Sequence, residues 1–310
     1  MGPSASLTTT DVVAKNLRGR RMDLKGIVFE GALLLTLLAA LLILLVLLFD
    51  VMAGGLGVFT ERGSDFLRGR LSVVSGDTAG VGQGIVGSLM VSLIVAIVAF
   101  PLGIAAAVYL EEYAADNRFN RFITVNIRNL AGVPSIVYGL LGLTIFVQLL
   151  GYSTGGKSLL SGGLTLAVLV LPIVIITSSE ALRAVPDDIR EAGVGVGATR
   201  WEVIRSHVLP SAAPGVLTGT ILALSRALGE TAPLLIVGAT TGFLSTGGAG
   251  IVDQLYGPYT TLPTIIYRWS SLPSGDFRSL TSAAIIVLLA MVLVANAVAI
   301  LMRNRYERKW

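Results

Sequence analysis

The sequence contains no cysteine and a single histidine, His207, in 310 residues. It can therefore hold neither a disulfide framework nor a thiolate metal site, and a cluster of several histidine ligands is excluded as well. Charged residues are also scarce, at 14% of the chain against about 25% in a typical soluble domain. So few charges cannot cover a water-exposed surface on a chain that is 54% hydrophobic.

The sequence contains long apolar stretches. Six of them are long enough to cross a hydrocarbon core of about 30 Å as helices that rise about 1.5 Å per residue. They lie at 27–49, 84–110, 127–150, 163–183, 214–241 and 281–302. The pattern predicts an all-α integral membrane protein with six transmembrane helices at 27–302, between an N-terminal segment at 1–26 and a basic tail at 303–310.

The basic residues orient these spans. If the N-terminus is cytoplasmic, sixteen of the 23 Lys and Arg residues fall on the inner side and six on the outer side. Such an excess of positive charge marks the cytoplasmic side of membrane proteins. We therefore expect a multi-pass protein of the plasma (inner) membrane with both termini in the cytoplasm. The net charge of +4 is explained by this topology, and we expect no nucleic-acid partner.

Residues 151–158 match the phosphate-binding pattern G-x-x-x-x-G-K-[ST]. That pattern binds nucleotide when a buried strand leads into the glycine-rich turn and a helix follows. Here the preceding apolar run has transmembrane length, and the loop falls on the outer side. We interpret it as a turn between two spans, so we expect no ATPase site and no enzymatic activity in this chain.

The longest inner loop, at 184–213, predicts two short helices. Pro186 followed by two aspartates is typical of a helix start, and glycines at 193, 195 and 197 end that helix. A second short helix is expected from about Thr199 to Val208, stopping before Pro210. Trp201, Ile204 and Val208 form an apolar stripe on it that would suit a groove in a partner.

This loop resembles the EAA loop of ABC importer permeases, in which E-A-A, a glycine and a terminal I-x-L-P keep fixed spacing. Two positions depart from the pattern, with Gly193 at the second alanine and His207 at the isoleucine. The resemblance implies that the loop docks on an ATP-binding subunit, which binds the ATP, while this chain binds no cofactor. The implied coupling residues are Glu191, Ala192, Gly193, Gly197, Trp201, Leu209 and Pro210.

The fifth apolar stretch contains two charges, Arg226 and Glu230. A charge at bilayer depth costs at least ~2.5 kcal/mol and marks a functional candidate, and residues four apart share a helix face. Gly229 and Pro233 weaken the helix at this point, as in transporters that bind substrate at broken helices. A guanidinium suits an oxyanion, although a purely structural ion pair is the alternative.

Residues 225–233, SRALGETAP, resemble the signature of phosphate-specific ABC importer permeases of the PstA type, as do the stretches at 130–140, 180–186 and 261–269. The resemblance implies a type I ABC permease fold that forms half of a phosphate pathway. It also implies three kinds of partner: a homologous PstC-like permease, two ATP-binding subunits and an outer phosphate-binding protein. The implied pathway residues are Ser225, Arg226, Glu230 and Thr231.

Two alternatives to a phosphate permease stay open at this point. A permease of the same class could carry another oxyanion, such as molybdate or sulfate, because one Arg–Glu pair does not distinguish these anions. A secondary transporter or channel would work without ATP. On the outer side, Tyr256, Tyr259, Tyr267 and Trp269 suggest an aromatic belt in contact with lipid, or a surface that receives the phosphate-binding protein.

Overall fold

A computed structural model describes residues 24–239 and 250–306, and these residues form helices and no strand. Most of the predicted N-terminal segment, the end of the basic tail and the loop at 240–249 lie outside the described residues. The α-helices are α1 (Leu24–Arg68), α2 (Gly82–Val108), α3 (Arg118–Ala131), α4 (Ser135–Gly142), α5 (Gly151–Thr154), α6 (Leu159–Arg183), α7 (Asp187–Gly195), α8 (Arg200–Val203), α9 (Leu209–Gly229), α10 (Ala232–Val237), α11 (Ile251–Tyr256), α12 (Leu262–Ser270) and α13 (Gly275–Tyr306). π-Helical segments follow α2, α4 and α8: π1 (Tyr109–Tyr113), π2 (Leu143–Leu149) and π3 (Ile204–Val208).

Five helical stretches in the described residues are long and apolar enough to cross a membrane. They are Lys25–Arg68, Gly82–Tyr113, Leu159–Arg183, Arg200–Gly229 and Gly275–Arg305. A sixth span results only if α3 and the α4–π2 segment are counted together, and these two are bent by 102°. The all-α membrane fold is confirmed, but the predicted span at 127–150 is not one straight helix.

The bend between α3 and α4 has a local cause. Gly132 ends α3, and Pro134 precedes α4 with an extended backbone (ψ 137°). A proline disfavours helical geometry in the residue before it, so the helix cannot continue through Val133. The Tyr138 hydroxyl donates to the carbonyl oxygen of Leu130 at 2.9 Å and ties the two arms together. The hydropathy of the apolar run gave no sign of this break.

The fifth span also differs from the prediction. It begins at Leu209 and not at 214, because π3 runs directly into α9 with Pro210 in its first turn. Pro210 has no amide hydrogen and so cannot make the helix hydrogen bond of its position, and the π-helical segment π3 directly precedes α9. The second short helix of the inner loop therefore does not stop before Pro210 but continues into the span. The predicted end of the span, at 240–241, lies outside the described residues.

The chain divides into two compact units at Val51. In the first unit, the helical side chains from Lys25 to Asp50 are all exposed. Most of them are leucine, isoleucine, valine or phenylalanine. An apolar surface of this extent is stable only when lipid or another protein covers it.

The core of the second unit forms where α2 and α6 pack closely. A Cβ added at Gly163 would lie 2.7 Å from Ile94 Cβ, and one added at Gly103 would lie 2.6 Å from Val174 Cγ1. Small residues at such positions let membrane helices approach each other closely. The buried residues around this contact include side chains from α4, α9 and α10, which are thereby fixed to the same scaffold.

A second buried cluster lies under the outer segment and corrects the expectation of an aromatic belt. Trp269 is fully buried, and its indole Nε1 donates to the carbonyl oxygen of Ser72 at 2.9 Å. Tyr259 is fully buried in the other core, around α2 and α6, and this burial raises the pKa of its phenol. Only Tyr256 and Tyr267, about half exposed, are placed as a belt would require.

Replacing Trp269 with alanine should lower the free energy of unfolding by about 3–5 kcal/mol, the usual cost of removing a large buried side chain. The indole packs between Phe66 and Phe277, with ring centroids 6.4 and 6.1 Å away, so its loss leaves a cavity. Thermal aggregation in detergent, followed by size-exclusion chromatography, measures the effect. Tyr267→Ala is the matched control, and equal melting temperatures for the two variants would contradict the burial.

Candidate functional site

The helix that carries Arg226 is broken one turn further on. α9 ends at Gly229, Glu230 is extended (φ −74°, ψ 126°), and α10 starts at Ala232. Pro233 lies in the first turn of α10, where its missing amide costs least. The predicted weakening of the helix by Gly229 and Pro233 is thus confirmed.

Arg226 and Glu230 contact each other across this break. Arg226 Nε donates to Glu230 Oε1 at 3.3 Å, and the side chains are 42% and 16% exposed. A contact of this length is a weak hydrogen bond, and it uses one of the five N–H donors of the guanidinium. The pair orients Arg226 without consuming its capacity to bind an anion.

Arg226 also lines a cavity of about 350 Å³ between the end of α3, α6 and α9. The described lining residues are Ala131, Ile173, Ile176, Thr177, Leu222 and Arg226. Arg226 is the single charged group among them, and apolar walls strengthen the field of a charge because they lower the local dielectric. The arrangement can attract a small anion into a space whose other walls are apolar except for Thr177.

The other two predicted pathway residues have different surroundings. Ser225 Oγ lies 2.5 Å from Asn296 Oδ1 of α13 and 2.9 Å from the carbonyl oxygen of Ile221. Thr231 is the residue that precedes α10. Ser225 therefore contributes to the contact between α9 and α13. The sequence feature that could have indicated this role is Asn296, a polar residue within an apolar stretch.

The loop at 184–213, predicted to be cytoplasmic, forms a compact unit that we call the knob. Pro186 precedes α7, whose first turn contains Asp187 and Asp188. α7 ends at Gly195, and Gly197 adopts φ +88°, a left-handed conformation that favours glycine. The Thr199 side chain and the Glu202 carboxylate cap the start of α8 reciprocally. The predicted first short helix and the glycine elbow are confirmed, whereas the second helix continues into α9.

The surface of the knob is exposed where the EAA pattern predicts coupling residues. Glu191, Ala192 and Pro210 are exposed, and Trp201 is 52% exposed. The predicted apolar stripe is wrong in part, since Ile204 and Val208 are buried. They pack with residues of α2, α6 and α9 in a core beneath the knob, so Trp201 alone of the three can meet a partner.

Gly193 departs from the alanine of the EAA pattern for a steric reason. A Cβ added there would lie 2.5 Å from Val203 Cγ2, closer than real Cβ atoms approach. The glycine thus allows α7 to pack directly on α8. Leu209, the next predicted coupling residue along the chain, is half-buried where π3 meets α9.

The segment that matches a phosphate-binding loop is a helix-to-helix turn. π2 precedes it, its first four residues form α5, and Gly155 and Gly156 both have positive φ (80° and 68°). The Ser158 hydroxyl accepts from the amide of Ser161 at 3.2 Å and caps α6. The serine of the pattern is therefore used to start a transmembrane helix.

Comparison with known proteins identifies related sequences over most of the chain. The family model described as binding-protein-dependent transport system inner membrane component matches residues 99–310. Phosphate transport system permease protein PstA 1 of Mycobacterium tuberculosis is 32% identical over 308 residues, covering 97% of both chains. PstA of Xylella fastidiosa is 35% identical over 229 residues, covering 73% of this chain and 76% of the relative.

Solved structures with the same fold come from other importers. A chain of a bacterial alginate ABC transporter superposes with a TM-score of 0.63 at 17% identity, covering 92% of this chain and 98% of that one. A chain of the MetNI methionine ABC transporter, in an inward-facing conformation, gives a TM-score of 0.60 at 17% identity, with 74% and 96% coverage. At this identity the likeness establishes the fold, which is that of ABC importer permeases.

Proposed function

This chain belongs to the PstA-type permeases among the binding-protein-dependent transport system inner membrane components, and from that premise we propose that it imports inorganic phosphate as the membrane-spanning subunit of an ATP-driven complex. It forms half of the translocation pathway. Relatives that bear the name of phosphate permeases align over as much as 97% of the chain. The observation that carries the proposal in the structure is Arg226, a cation at a helix break on an apolar cavity.

Arg226 attracts phosphate during passage, and Glu230 limits how tightly it is held. A guanidinium donates paired hydrogen bonds to oxyanions, so an unopposed Arg226 would retain the anion. The Glu230 carboxylate, 3.3 Å from Arg226 Nε, occupies one of the five donors and repels the anion. The pair therefore favours transient binding, which a transport pathway needs for release.

The knob is the contact with the ATP-binding subunit. Exposed Val194, Val196 and Trp201 offer apolar surface, and Glu191 offers a charge. ATP is bound and hydrolysed by that partner, and closure of two such subunits displaces the knob and switches the pathway between outward-open and inward-open. The complete importer also contains a PstC-like second permease and an outer phosphate-binding protein, with both termini of this chain in the cytoplasm.

Transport by the reconstituted complex tests this function. Proteoliposomes that contain both permeases and the ATP-binding subunits, with ATP on the nucleotide-binding side and the phosphate-binding protein on the other, should accumulate radiolabelled phosphate. Uptake should require ATP hydrolysis and resist competition by excess sulfate or molybdate. Uptake that persists without ATP would instead indicate a secondary transporter or channel. Preferential transport of sulfate or molybdate would support an ABC permease with a different substrate.

A further inference from the structure

Three consecutive side chains of π1 contact three arginines in or beside the knob. Glu111 pairs with Arg183 at the end of α6, and Glu112 pairs with Arg190 of α7, each at 2.8 Å. The guanidinium of Arg200, at the start of α8, lies 5.4 Å from the centre of the Tyr113 ring. π1 directly continues α2, so these contacts join a transmembrane helix to the knob.

The central pair is the most buried. The Glu112 side chain is 5% exposed and that of Arg190 is 24% exposed, whereas Arg183 in the neighbouring pair is 59% exposed. Exposed ion pairs contribute little, while loss of one partner of a buried pair leaves a charge without compensation. Glu112–Arg190 is therefore the contact whose loss matters.

Arg190 also bonds to two carbonyl oxygens, one in the last turn of α6 and one just beyond the helix. Its Nη2 donates to Leu182 at 2.9 Å, and its Nη1 donates to Val185 at 2.7 Å and to Asp187 Oδ1 at 3.1 Å. The last carbonyls of a helix lack partners within the helix, and Leu182 accepts both from the Val185 amide, at 3.2 Å, and from Arg190. Hydrogen bonding to Glu112 raises the pKa of Arg190.

We propose that Glu112 and Arg190 are positioning residues that lock the knob to the inner ends of α2 and α6, so that displacement of the knob by the ATP-binding subunit moves these helices. The inference rests on the proposed coupling function of the knob. Arg190 directly precedes the exposed Glu191 of the EAA pattern. One turn of α7 therefore carries the surface that the motor subunit contacts and the side chain that transmits its motion. Without the lock, the knob would move alone.

Glu112→Gln tests the lock, with Glu111→Gln as the matched control. The two variants make the same chemical change at adjacent positions of π1, one in the buried pair and one in the more exposed pair. In proteoliposomes with the complete complex, we expect Glu112→Gln to lower phosphate transported per ATP hydrolysed by roughly tenfold, within the usual range of coupling between sites. In Glu112→Gln, ATP hydrolysis and complex assembly should stay within twofold of wild type. In Glu111→Gln, transport per ATP, ATP hydrolysis and assembly should all stay within twofold.

A charge exchange distinguishes positioning from mere loss of stability. Glu112→Arg and Arg190→Glu should each uncouple transport, and the double variant should recover part of the coupling, which a double-mutant cycle measures. A parallel fall of transport, hydrolysis and assembly in Glu112→Gln would overturn the proposal, because it would indicate unfolding. Equal coupling in Glu112→Gln and Glu111→Gln would overturn it as well.

Motion of the knob can be measured independently of the substrate. The chain has no cysteine, so spin labels can be attached at Asp188→Cys on α7 and Leu102→Cys on α2, both exposed. In wild type, the distribution of distances between the labels should be narrow and the same with and without ATP. In Glu112→Gln, that distribution should broaden when ATP is added. An ATP-dependent change of that distance in wild type would overturn the lock. Failure of wild type to transport phosphate, with the distance still narrow, would contradict only the substrate.

Discussion

Arg226→Ala is expected to reduce ATP-dependent phosphate uptake by at least about a hundredfold while the complex still assembles. Each hydrogen bond to a charged group contributes about 1.5–3 kcal/mol, and loss of two of them corresponds to a hundredfold or more. Arg226 supplies the charge of its cavity, whose other described lining residues carry none. Radiolabelled uptake in cells that lack the native chain measures the loss, and co-purification of the ATP-binding subunit measures assembly.

Two conservative variants decide what Arg226 contributes. Arg226→Lys keeps the charge but not the planar pair of donors, so it should restore part of the uptake. Glu230→Gln removes the competing carboxylate at 3.3 Å and should slow phosphate release more than entry. Undiminished uptake by Arg226→Ala would show that the Arg226–Glu230 pair is structural, the alternative that the sequence leaves open.

Local signals in the sequence were sufficient for the break in α9 and for the knob. Gly229 and Pro233 interrupt the helix through their own backbone conformation. In the same way, Pro186 and the two aspartates after it start α7. The bend at residues 132–134 was missed even though its cause is also local. One glycine and one proline within an apolar run change its hydropathy little, and hydropathy defined the span.

Contacts between distant parts of the chain could not be read from the sequence. Glu112 and Arg190 are 78 residues apart, and Ser225 and Asn296 are 71 apart. The two glutamates at the end of the second apolar stretch indicate only that a helix leaves the membrane there. Which arginine meets which glutamate depends on how α2 packs against α6, and small residues such as Gly163 determine that packing.

The apolar stripe on the knob illustrates a limit of periodicity. Ile204 and Val208 share a face, as predicted, but their own chain covers that face. Periodicity identifies a side of a helix that avoids water, and it contains no information on whether the cover is a partner or the same molecule. Trp201 stays exposed, although Val203 on the same short helix α8 is buried in the core beneath the knob.

Gly197→Pro is expected to abolish most ATP-driven uptake, by tenfold or more, while leaving the chain inserted in the membrane. Gly197 has φ +88° and its amide donates to the carbonyl oxygen of Val194 at 2.9 Å. Proline fixes φ near −65° and has no amide hydrogen, so both features of the elbow are lost. The elbow would then reorient α7 relative to α8 and displace Glu191 and Trp201 from their places on the surface.

Gly195→Ala is the matched control for Gly197→Pro. Gly195 is two residues away, its φ is not positive, and a Cβ added there meets no atom within 4 Å. It should therefore support uptake within twofold of wild type, whereas Gly197→Ala should be intermediate because only the positive φ opposes it. Measuring uptake and ATP hydrolysis on the same proteoliposomes distinguishes loss of coupling from loss of ATPase activity. Normal uptake by Gly197→Pro would mean that the geometry of the elbow, and with it the knob, does not couple ATP hydrolysis to transport.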